Sequence, residues 1–128
     1  MSDWTWVETR DALAIHGTQL SEHGGADGLR DHELLESALT RPQNLAAHGA
    51  PDATALAAAY AFGIAKNHPF VDGNKRTILM VLEFFLVLNH YALTADDVQC
   101  VVTILALAEG TLSEAELADW IRQNITAD

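Results

Sequence analysis

The sequence predicts an all-α fold, a compact bundle of about six helices in a single domain over residues 1–128. Three observations predict it. Ala and Leu dominate the apolar residues while β-branched residues are modest in number, a composition that favours helices. The run from Ile78 to Leu88 contains one polar residue, Glu83, and has the length of a buried helix. A chain of 128 residues can also bury a core without disulfides or structural metals.

Two helices are predicted in the first third of the chain. The first spans about residues 8–23 and ends at Gly24-Gly25, since glycine commonly terminates a helix. Asp31 is expected to cap the second helix, which runs to about Thr40. Pro42 then stops that helix or starts another short turn, because proline lacks the N–H that a helix interior needs.

The third helix is predicted in an alanine-rich stretch that leads to the polar centre of the sequence. Residues 45–52 before it are irregular and are expected to form a surface loop or flap. Asp52 or Thr54 caps the helix, which runs to about Lys66. It must end there, because Pro69 disfavours helical geometry at the residue before it.

The fourth helix is predicted from Asn74 to about Asn89 and contains the apolar run. After it, residues 89–93 are expected to form a turn and a short extended piece. Residues 4–7, which are aromatic and β-branched, are also expected to be extended. The two pieces are therefore predicted to pair as a minor two-stranded ribbon.

Two more helices complete the predicted bundle. Thr94 is expected to cap the fifth, over about residues 95–109. Ser113 and Glu116 form a capping box that starts the sixth helix, which runs to about residue 124. The single cysteine, Cys100, lies in an apolar context in the fifth helix, and we expect a buried thiol in a reducing cytosol.

Charge and hydropathy limit the partners. The net charge of −11 argues against direct binding to nucleic acid, which needs a basic surface. No stretch has the roughly 18 consecutive apolar residues of a membrane span, and the start lacks a signal-peptide pattern, so we expect a cytoplasmic protein. Three of the seven basic residues, Lys66, Lys75 and Arg76, lie close together in the sequence. Such a local positive focus suits a compact polyanion such as a nucleotide.

The stretch from His68 to Arg76 carries the chemistry that phosphoryl or nucleotidyl transfer needs. Backbone N–H groups at the start of the fourth helix, left accessible by Gly73, can cradle an anion, and Lys75 and Arg76 add positive charge. Asp72 is a hard oxygen ligand suited to Mg²⁺. His68 carries an imidazole, which can take a proton from an attacking hydroxyl.

Each of these residues also has a purely structural explanation. His68 fits a loop before proline, Asp72 fits an N-cap, and Gly73 fits a turn. Lys75 and Arg76 are harder to explain in this way, because basic residues oppose the helix dipole at an N-terminus. That local cost favours a bound anion and hence a functional site.

The nine residues His68-Pro69-Phe70-Val71-Asp72-Gly73-Asn74-Lys75-Arg76 resemble the signature of the Fic/Doc family, His-x-Phe-x-Asp/Glu-Gly/Ala-Asn-Gly/Lys-Arg. Other stretches agree with the Doc-like branch of that family: His16, Gly24-Gly25, Gly28 to Asp31, Leu35 to Ala38 and Arg41-Pro42. The resemblance implies the Fic fold and the use of ATP and Mg²⁺.

The same resemblance assigns roles within the motif. His68 would be the base that deprotonates a target hydroxyl, Asp72 would bind Mg²⁺, and Phe70 would anchor the loop in the core. The remaining four residues would contact phosphate, the first of them through its backbone N–H: Gly73, Asn74, Lys75 and Arg76.

Lys75 distinguishes two reactions within this resemblance. Fic proteins that transfer nucleotides usually have glycine at this position, and a second arginine three residues after Arg76, where this chain has Leu79. In Doc-like toxins the lysine accompanies a reversed nucleotide whose γ-phosphoryl faces the hydroxyl. The implied activity is that of a protein kinase that arrests translation, and the known target of the family is a threonine of elongation factor Tu.

The resemblance also implies control by a partner. The closest approach to the internal inhibitory motif Ser/Thr-x-x-x-Glu-Gly/Asn, from Thr18 to Glu22, is followed by His23 and departs from it. Inhibition is therefore expected from the antitoxin of a type II toxin–antitoxin system, whose disordered segment folds as a helix in the active-site groove.

Three alternatives remain open at this point. The first is nucleotidyl transfer, such as AMPylation of a protein hydroxyl, and the second is a non-catalytic binding module with the Fic fold. The third and least favoured is a metal-dependent hydrolase, since Asp72 and His68 alone make a poor all-protein metal site.

Overall fold

The computed structural model describes residues 3–128, so the first two residues of the predicted domain lie outside the described part of the chain. The described residues form six helices and two short strands: α1 (Thr9–His23), α2 (His32–Ala47), α3 (Ala53–Asn67), α4 (Asn74–Leu88), β1 (Tyr91–Leu93), α5 (Asp97–Glu109), α6 (Glu114–Gln123) and β2 (Ile125–Ala127). The predicted all-α fold with about six helices and a minor two-stranded ribbon is confirmed. None of the described helices combines the length and the apolar character that crossing a membrane requires.

α3 lies at the centre of the core, because its alanine-rich sequence lets neighbouring helices approach closely. It packs against α2, α4 and α6, and residues 56–61 are completely buried. An added Cβ at Gly63 would lie only 3.1 Å from both Cα and O of Ala38 in α2. On the α4 side, the rings of Tyr60 and Phe85 have centroids 5.2 Å apart. α3 and α4 are thus fixed relative to each other, and the loop that joins them is held between two buried helices.

α2 is longer than predicted. The expected end near Thr40 is wrong, because the helix continues through Pro42 into residues 45–47 of the predicted loop. Pro42 removes the N–H that would bond the Ala38 carbonyl, a loss that costs roughly 3 kcal/mol in a helix interior. Pro42 and Leu39 are buried, however, so burial of this face outweighs the local cost.

The two-stranded ribbon is present, but its predicted partner is wrong. Tyr91–Leu93 pairs antiparallel with Ile125–Ala127 and not with residues 4–7, which have no regular secondary structure. Instead, the Asn89 side chain accepts the Thr5 N–H at 2.9 Å and donates to the Thr5 carbonyl at 2.9 Å. A side chain therefore satisfies the backbone groups that a strand would have paired.

Three of the four predicted helix caps are confirmed. Asp31 caps α2, since its carboxylate accepts the Leu34 N–H at 3.1 Å. Asp52 caps α3, and Ser113 caps α6 within the predicted capping box. Thr94 is not the cap of α5, because the Asp96 carboxylate accepts the Gln99 N–H at 2.8 Å instead. Asp is a better N-cap than Thr, which is consistent with the later start of this helix.

Candidate active site

The loop between α3 and α4, residues 68–73, is bounded by two residues in the left-handed conformation. α3 ends at Asn67, as Pro69 predicts, and His68 follows with φ 48° and ψ 58°. Gly73 precedes α4 with φ 78°, a value that glycine adopts at little cost. His68 lacks that freedom, so its backbone geometry needs support from neighbouring residues.

Arg30, in the segment between α1 and α2, supplies that support. Its Nη2 donates to the Asn67 carbonyl at 2.6 Å, and its Nε donates to the His68 carbonyl at 2.8 Å. The Arg30 backbone N–H also donates to the Pro69 carbonyl at 2.7 Å. The planar guanidinium fork matches two successive carbonyls, so Arg30 fixes the junction between α3 and the loop.

His16 of α1 supports the other end of the loop. It is buried, and its ring stacks on the Phe70 ring with centroids 3.9 Å apart and planes inclined by 10°. His16 Nε2 lies 2.7 Å from the Asp72 carbonyl, and because a carbonyl only accepts, Nε2 carries the proton in this bond. Phe70 is completely buried, so it occupies the core as a loop anchor would.

Asn74 joins the loop to the start of α4 and is buried. Its Oδ1 accepts the Phe70 N–H at 3.2 Å, and its Nδ2 donates to the Phe70 carbonyl at 2.9 Å. Nδ2 also lies 3.2 Å from Nε2 and 3.4 Å from Nδ1 of His68. The Asn74 amide therefore contacts the imidazole of His68 and helps to hold the ring at the cavity. The Asn74 side chain is thus engaged within the loop, and its backbone N–H is the group left to contact a phosphate.

Asp72 presents an exposed carboxylate at the end of the loop. Oδ1 accepts the Gly73 N–H at 2.8 Å, and Oδ2 accepts the Ala26 N–H at 3.3 Å. These two hydrogen bonds lower the pKa of Asp72, so the carboxylate is ionised at neutral pH. Gly25 permits the close approach, because a Cβ there would lie 2.9 Å from Asp72 Oδ2.

The start of α4 carries polar groups without partners among residues 3–128. Gly73 has no side chain to cap the helix, and the backbone N–H groups of residues 74–76 form no hydrogen bond within that part of the chain. Lys75 and Arg76 are exposed and take part in none of the ion pairs among the described residues. An anion at this position would satisfy the N–H groups and also neutralise the two cations.

One cavity of about 400 Å³ is lined by all six residues predicted for the site: His68, Asp72, Gly73, Asn74, Lys75 and Arg76. Ala65 of α3 and Ala108 of α5 contribute to its wall. A larger cavity of about 490 Å³ lies between α2 and α3 but contains none of the six. The smaller cavity combines an imidazole, a carboxylate and two cations, and this chemistry makes it the candidate active site.

The residues at this cavity fit a metal ion that shares its ligands with phosphate. No group of three or more His, Cys, Asp or Glu side chains in residues 3–128 is placed to hold a metal ion. Asp72 alone offers ionised oxygens beside Lys75 and Arg76. Mg²⁺ commonly binds one or two carboxylates, several waters and substrate phosphates, and Asp72 fits that donor set.

Sequence reasoning missed the positions of Arg30 and His16 against the loop. Arg30 reaches a residue 38 positions away, and His16 reaches a residue 56 positions away. Both bonds end on backbone carbonyls, which leave no trace in the residue types around them. Their agreement with the Doc-like pattern was the only signal in the sequence, and it did not indicate what they contact.

Comparison with known proteins relates the whole of this site to one family. The model of the Fic/DOC family matches residues 6–86, more than half of the chain, including the loop and most of α4. Protein kinase doc of Escherichia phage P1 is 28% identical over 118 residues, which cover 91% of this chain and 93% of that protein. Toxin Doc of Mycolicibacterium smegmatis is 41% identical over 109 residues, which cover 82% of this chain and 78% of that protein.

Proposed function

Because this chain belongs to the Fic/DOC family, in its Doc-like branch, we propose that it is the toxin of a type II toxin–antitoxin system and a protein kinase. It transfers the γ-phosphoryl group of ATP to a threonine hydroxyl of a translation factor, elongation factor Tu, and so arrests translation. The observation that carries the proposal is the convergence of His68, Asp72, Lys75 and Arg76 on one cavity at the start of a buried helix. One relative is named a protein kinase, which supports the proposed activity, and the other is named a toxin, which supports the proposed biological role.

His68 is the base in the proposed reaction. The imidazole takes the proton of the target hydroxyl as the hydroxyl oxygen forms a bond to the γ-phosphorus. The bond between that phosphorus and the oxygen bridging to the β-phosphate breaks, and ADP leaves with the bridging oxygen and its electron pair. The Asn74 amide contacts the ring and would help to position the imidazole for this step.

The start of α4 holds the phosphates in this proposal. The N–H groups of residues 74–76 donate to phosphate oxygens, while Lys75 and Arg76 neutralise their charge. Asp72 would hold Mg²⁺ together with phosphate oxygens and waters. Bound Mg²⁺ supplies charge neutralisation on the phosphate groups during transfer.

Lys75 favours phosphoryl transfer over nucleotidyl transfer. Its ammonium stands where nucleotidyl-transferring Fic proteins usually have glycine. Leu79, at the position of their second arginine, is apolar and packs against the core. The cavity thus has one lysine and one guanidinium for phosphate instead of two guanidinium groups. We infer from this difference that the γ-phosphoryl, and not the α-phosphate, is placed at His68.

Parallel assays with α- and γ-labelled ATP on purified elongation factor Tu test the reaction and the target together. We expect label on the factor from γ-labelled ATP and none from α-labelled ATP. Transfer of the α label alone would overturn the kinase proposal in favour of nucleotidyl transfer. Transfer of neither label by the folded protein would overturn the choice of elongation factor Tu.

The proposed partner is an antitoxin that blocks the same cavity in the cytoplasm. A disordered segment that folds as a helix in the active-site groove would cover His68 and exclude the target hydroxyl. Growth arrest in cells separates this proposal from a non-catalytic binding module. Expression of the wild-type chain should stop growth, and expression of His68→Ala should not; equal toxicity of both would favour the binding module.

A further inference from the structure

α5 exposes an apolar stripe that the proposed reaction does not use. Val98, Val101, Val102 and Leu105 recur at helical spacing and are 72%, 51%, 59% and 37% exposed. They are half of the eight exposed large apolar residues in the described part of the chain. The opposite face of α5 packs into the protein through three buried residues: Cys100, Ile104 and Leu107. The predicted burial of Cys100 is thereby confirmed.

A helix that is apolar on both faces is normally covered on both. The inner face of α5 is covered by the rest of the protein, and the stripe is not. Isolated exposed apolar residues are common and need no explanation, but four at helical spacing form a continuous surface. The stripe therefore has the form of one half of a helix–helix contact.

The charge around the stripe indicates what covers it. Between Arg76 and Arg122 the sequence contains seven Asp or Glu residues and no Lys or Arg. Asp97 lies at the start of the stripe and Glu109 at its end. Glu83 of α4 lies near Asp97. Burial and the neighbouring Asp97 carboxylate raise the pKa of Glu83. The exposed carboxylates of Asp97 and Glu109 thus border the two ends of the apolar surface.

This border disfavours several occupants. A second copy would bring like charges together, because both surfaces would carry the same carboxylates. Anionic lipid and nucleic acid would be repelled for the same reason. An amphipathic helix with Lys or Arg beside its apolar face matches the surface in both hydrophobicity and charge.

We propose that the α5 stripe, defined as Val98, Val101, Val102 and Leu105, docks an amphipathic helix of a partner protein that carries basic residues on its flanks. The assignment goes beyond the proposed kinase activity, because none of these four residues lines the catalytic cavity. The same helix reaches that cavity further along at Ala108, three residues after Leu105. A partner docked on the stripe would therefore lie beside the active site without filling it.

Two synthetic helical peptides of about 18 residues test this proposal against the full chain. Both carry Leu along one face; one has Lys beside that face, and the other has Glu at the same positions. Binding is measured by fluorescence polarisation, and the contacted residues are located by amide shifts in NMR spectra. We expect the Lys peptide to bind and to shift α5 amides, and the Glu peptide not to bind.

A matched pair of variants separates the stripe from general charge attraction. The double variant Val98→Ser, Val102→Ser should weaken binding of the Lys peptide by roughly tenfold or more, since it removes two apolar side chains from the contact. Val87→Ser changes a valine that is 55% exposed on α4 outside the stripe, and binding should be unchanged. Thermal unfolding should show that both variants keep the fold, because the altered side chains are exposed.

Three outcomes would overturn the proposal. Equal binding of the Lys peptide to the wild type and the double variant would mean nonspecific attraction to an acidic protein. A dimer in light scattering that the double variant abolishes would assign the stripe to a second copy. Binding to anionic vesicles that the double variant abolishes would assign the stripe to a membrane surface.

Discussion

The two helices that are joined by the candidate active-site loop begin in opposite ways. α3 begins at Asp52, whose carboxylate accepts the Ala55 N–H at 2.9 Å and the Thr54 hydroxyl at 2.7 Å. Arg122 of α6 donates to both oxygens of the same carboxylate, at 3.0 and 3.3 Å. α4 begins at Gly73, with no capping side chain and with two cations in its first turn.

This difference separates stability from function. The polar side chains at the start of α3 have partners within the protein, so this end stabilises the fold. The start of α4 leaves N–H groups and cations without partners among the described residues, which costs stability in the free protein and would provide binding energy for the proposed phosphate ligand. Both helices are largely apolar and buried, so packing alone does not account for the contrast.

The largest expected effect comes from removing His68, the proposed base beside the start of α4. His68→Ala should lower phosphoryl transfer by roughly 10²–10⁴-fold, the range for loss of a general base. Stability should change little, because the side chain is exposed. The rate is measured with γ-labelled ATP and the melting temperature by circular dichroism. Transfer close to the wild-type rate would remove His68 from the mechanism.

Arg30→Ala tests whether the loop must be held in one geometry. The change removes the guanidinium bonds to the carbonyls of Asn67 and His68 but alters no residue that lines the cavity. We expect kcat to fall by roughly 10- to 100-fold with a nearly unchanged KM for ATP, because misplaced groups react slowly. Arg30→Lys, which lacks the planar fork, should recover part of the rate. A raised KM with an unaltered kcat would instead assign Arg30 to nucleotide binding.

Much of the fold could be predicted because most helices carry their own local signals. The glycine pair after α1, the Asp52 cap of α3 and the capping box of α6 lie within or next to the helices they delimit. The errors concern contacts between distant segments. α2 continues past Pro42 because that residue is buried, and β1 pairs with the end of the chain instead of its beginning.

The same distinction between local signals and distant contacts applies to the candidate site. The six predicted site residues that line the cavity fall in one short motif, so their proximity followed from the sequence. Arg30 and His16 reach the loop only through the tertiary structure. The sequence predicts a phosphate contact for Asn74 but gives no sign that its side chain bonds to the backbone of Phe70, because that contact depends on the path of the loop.

At the start of α3, where the polar side chains have hydrogen-bond partners, the expected effect of a substitution is on stability alone. Asp52→Ala should lower the free energy of unfolding by about 1–2 kcal/mol, since it removes an N-cap and a partly exposed ion pair. Asp52→Asn keeps a good capping side chain and should cost less. Urea unfolding measures both variants. Activity should stay at the wild-type level, because Asp52 does not line the cavity; lost activity in a stable variant would contradict the separation of the two helix starts.

The same carboxylate sets a pH dependence. Burial raises the pKa of Asp52, but hydrogen bonds from Arg122, Thr54 and the Ala55 N–H outweigh it and lower the pKa from 3.8 to about 2. The unfolded chain therefore binds more protons than the folded chain in this range, and the contribution of Asp52 is lost as the pH falls from about 4 towards 2. The stability difference between wild type and Asp52→Asn should shrink across that window, and a constant difference would contradict the assignment.

The smallest expected effect compares two exposed lysines at opposite helix ends. Lys75 lies in the first turn of α4, where its charge opposes the dipole, and Lys66 lies in the last turn of α3, where its charge is favourable. Without nucleotide, Lys75→Ala should raise the melting temperature by roughly 1–3 °C, and Lys66→Ala should lower it by a similar amount. Calorimetry at low ionic strength measures both, and added salt should reduce both shifts.

Saturating ATP and Mg²⁺ should reverse the sign of the melting-temperature difference between Lys75→Ala and the wild type. No such reversal is expected for Lys66→Ala. Ligand binding stabilises the wild type, and Lys75→Ala should gain less because it has lost a phosphate contact. The variant that is more stable when free should thus become the less stable one when loaded. Lys66 does not line the cavity, so Lys66→Ala should show the same shift in both conditions. If Lys75→Ala lowered the melting temperature without nucleotide, Lys75 would stabilise the free protein. That result would contradict the proposed contrast between the two helix starts.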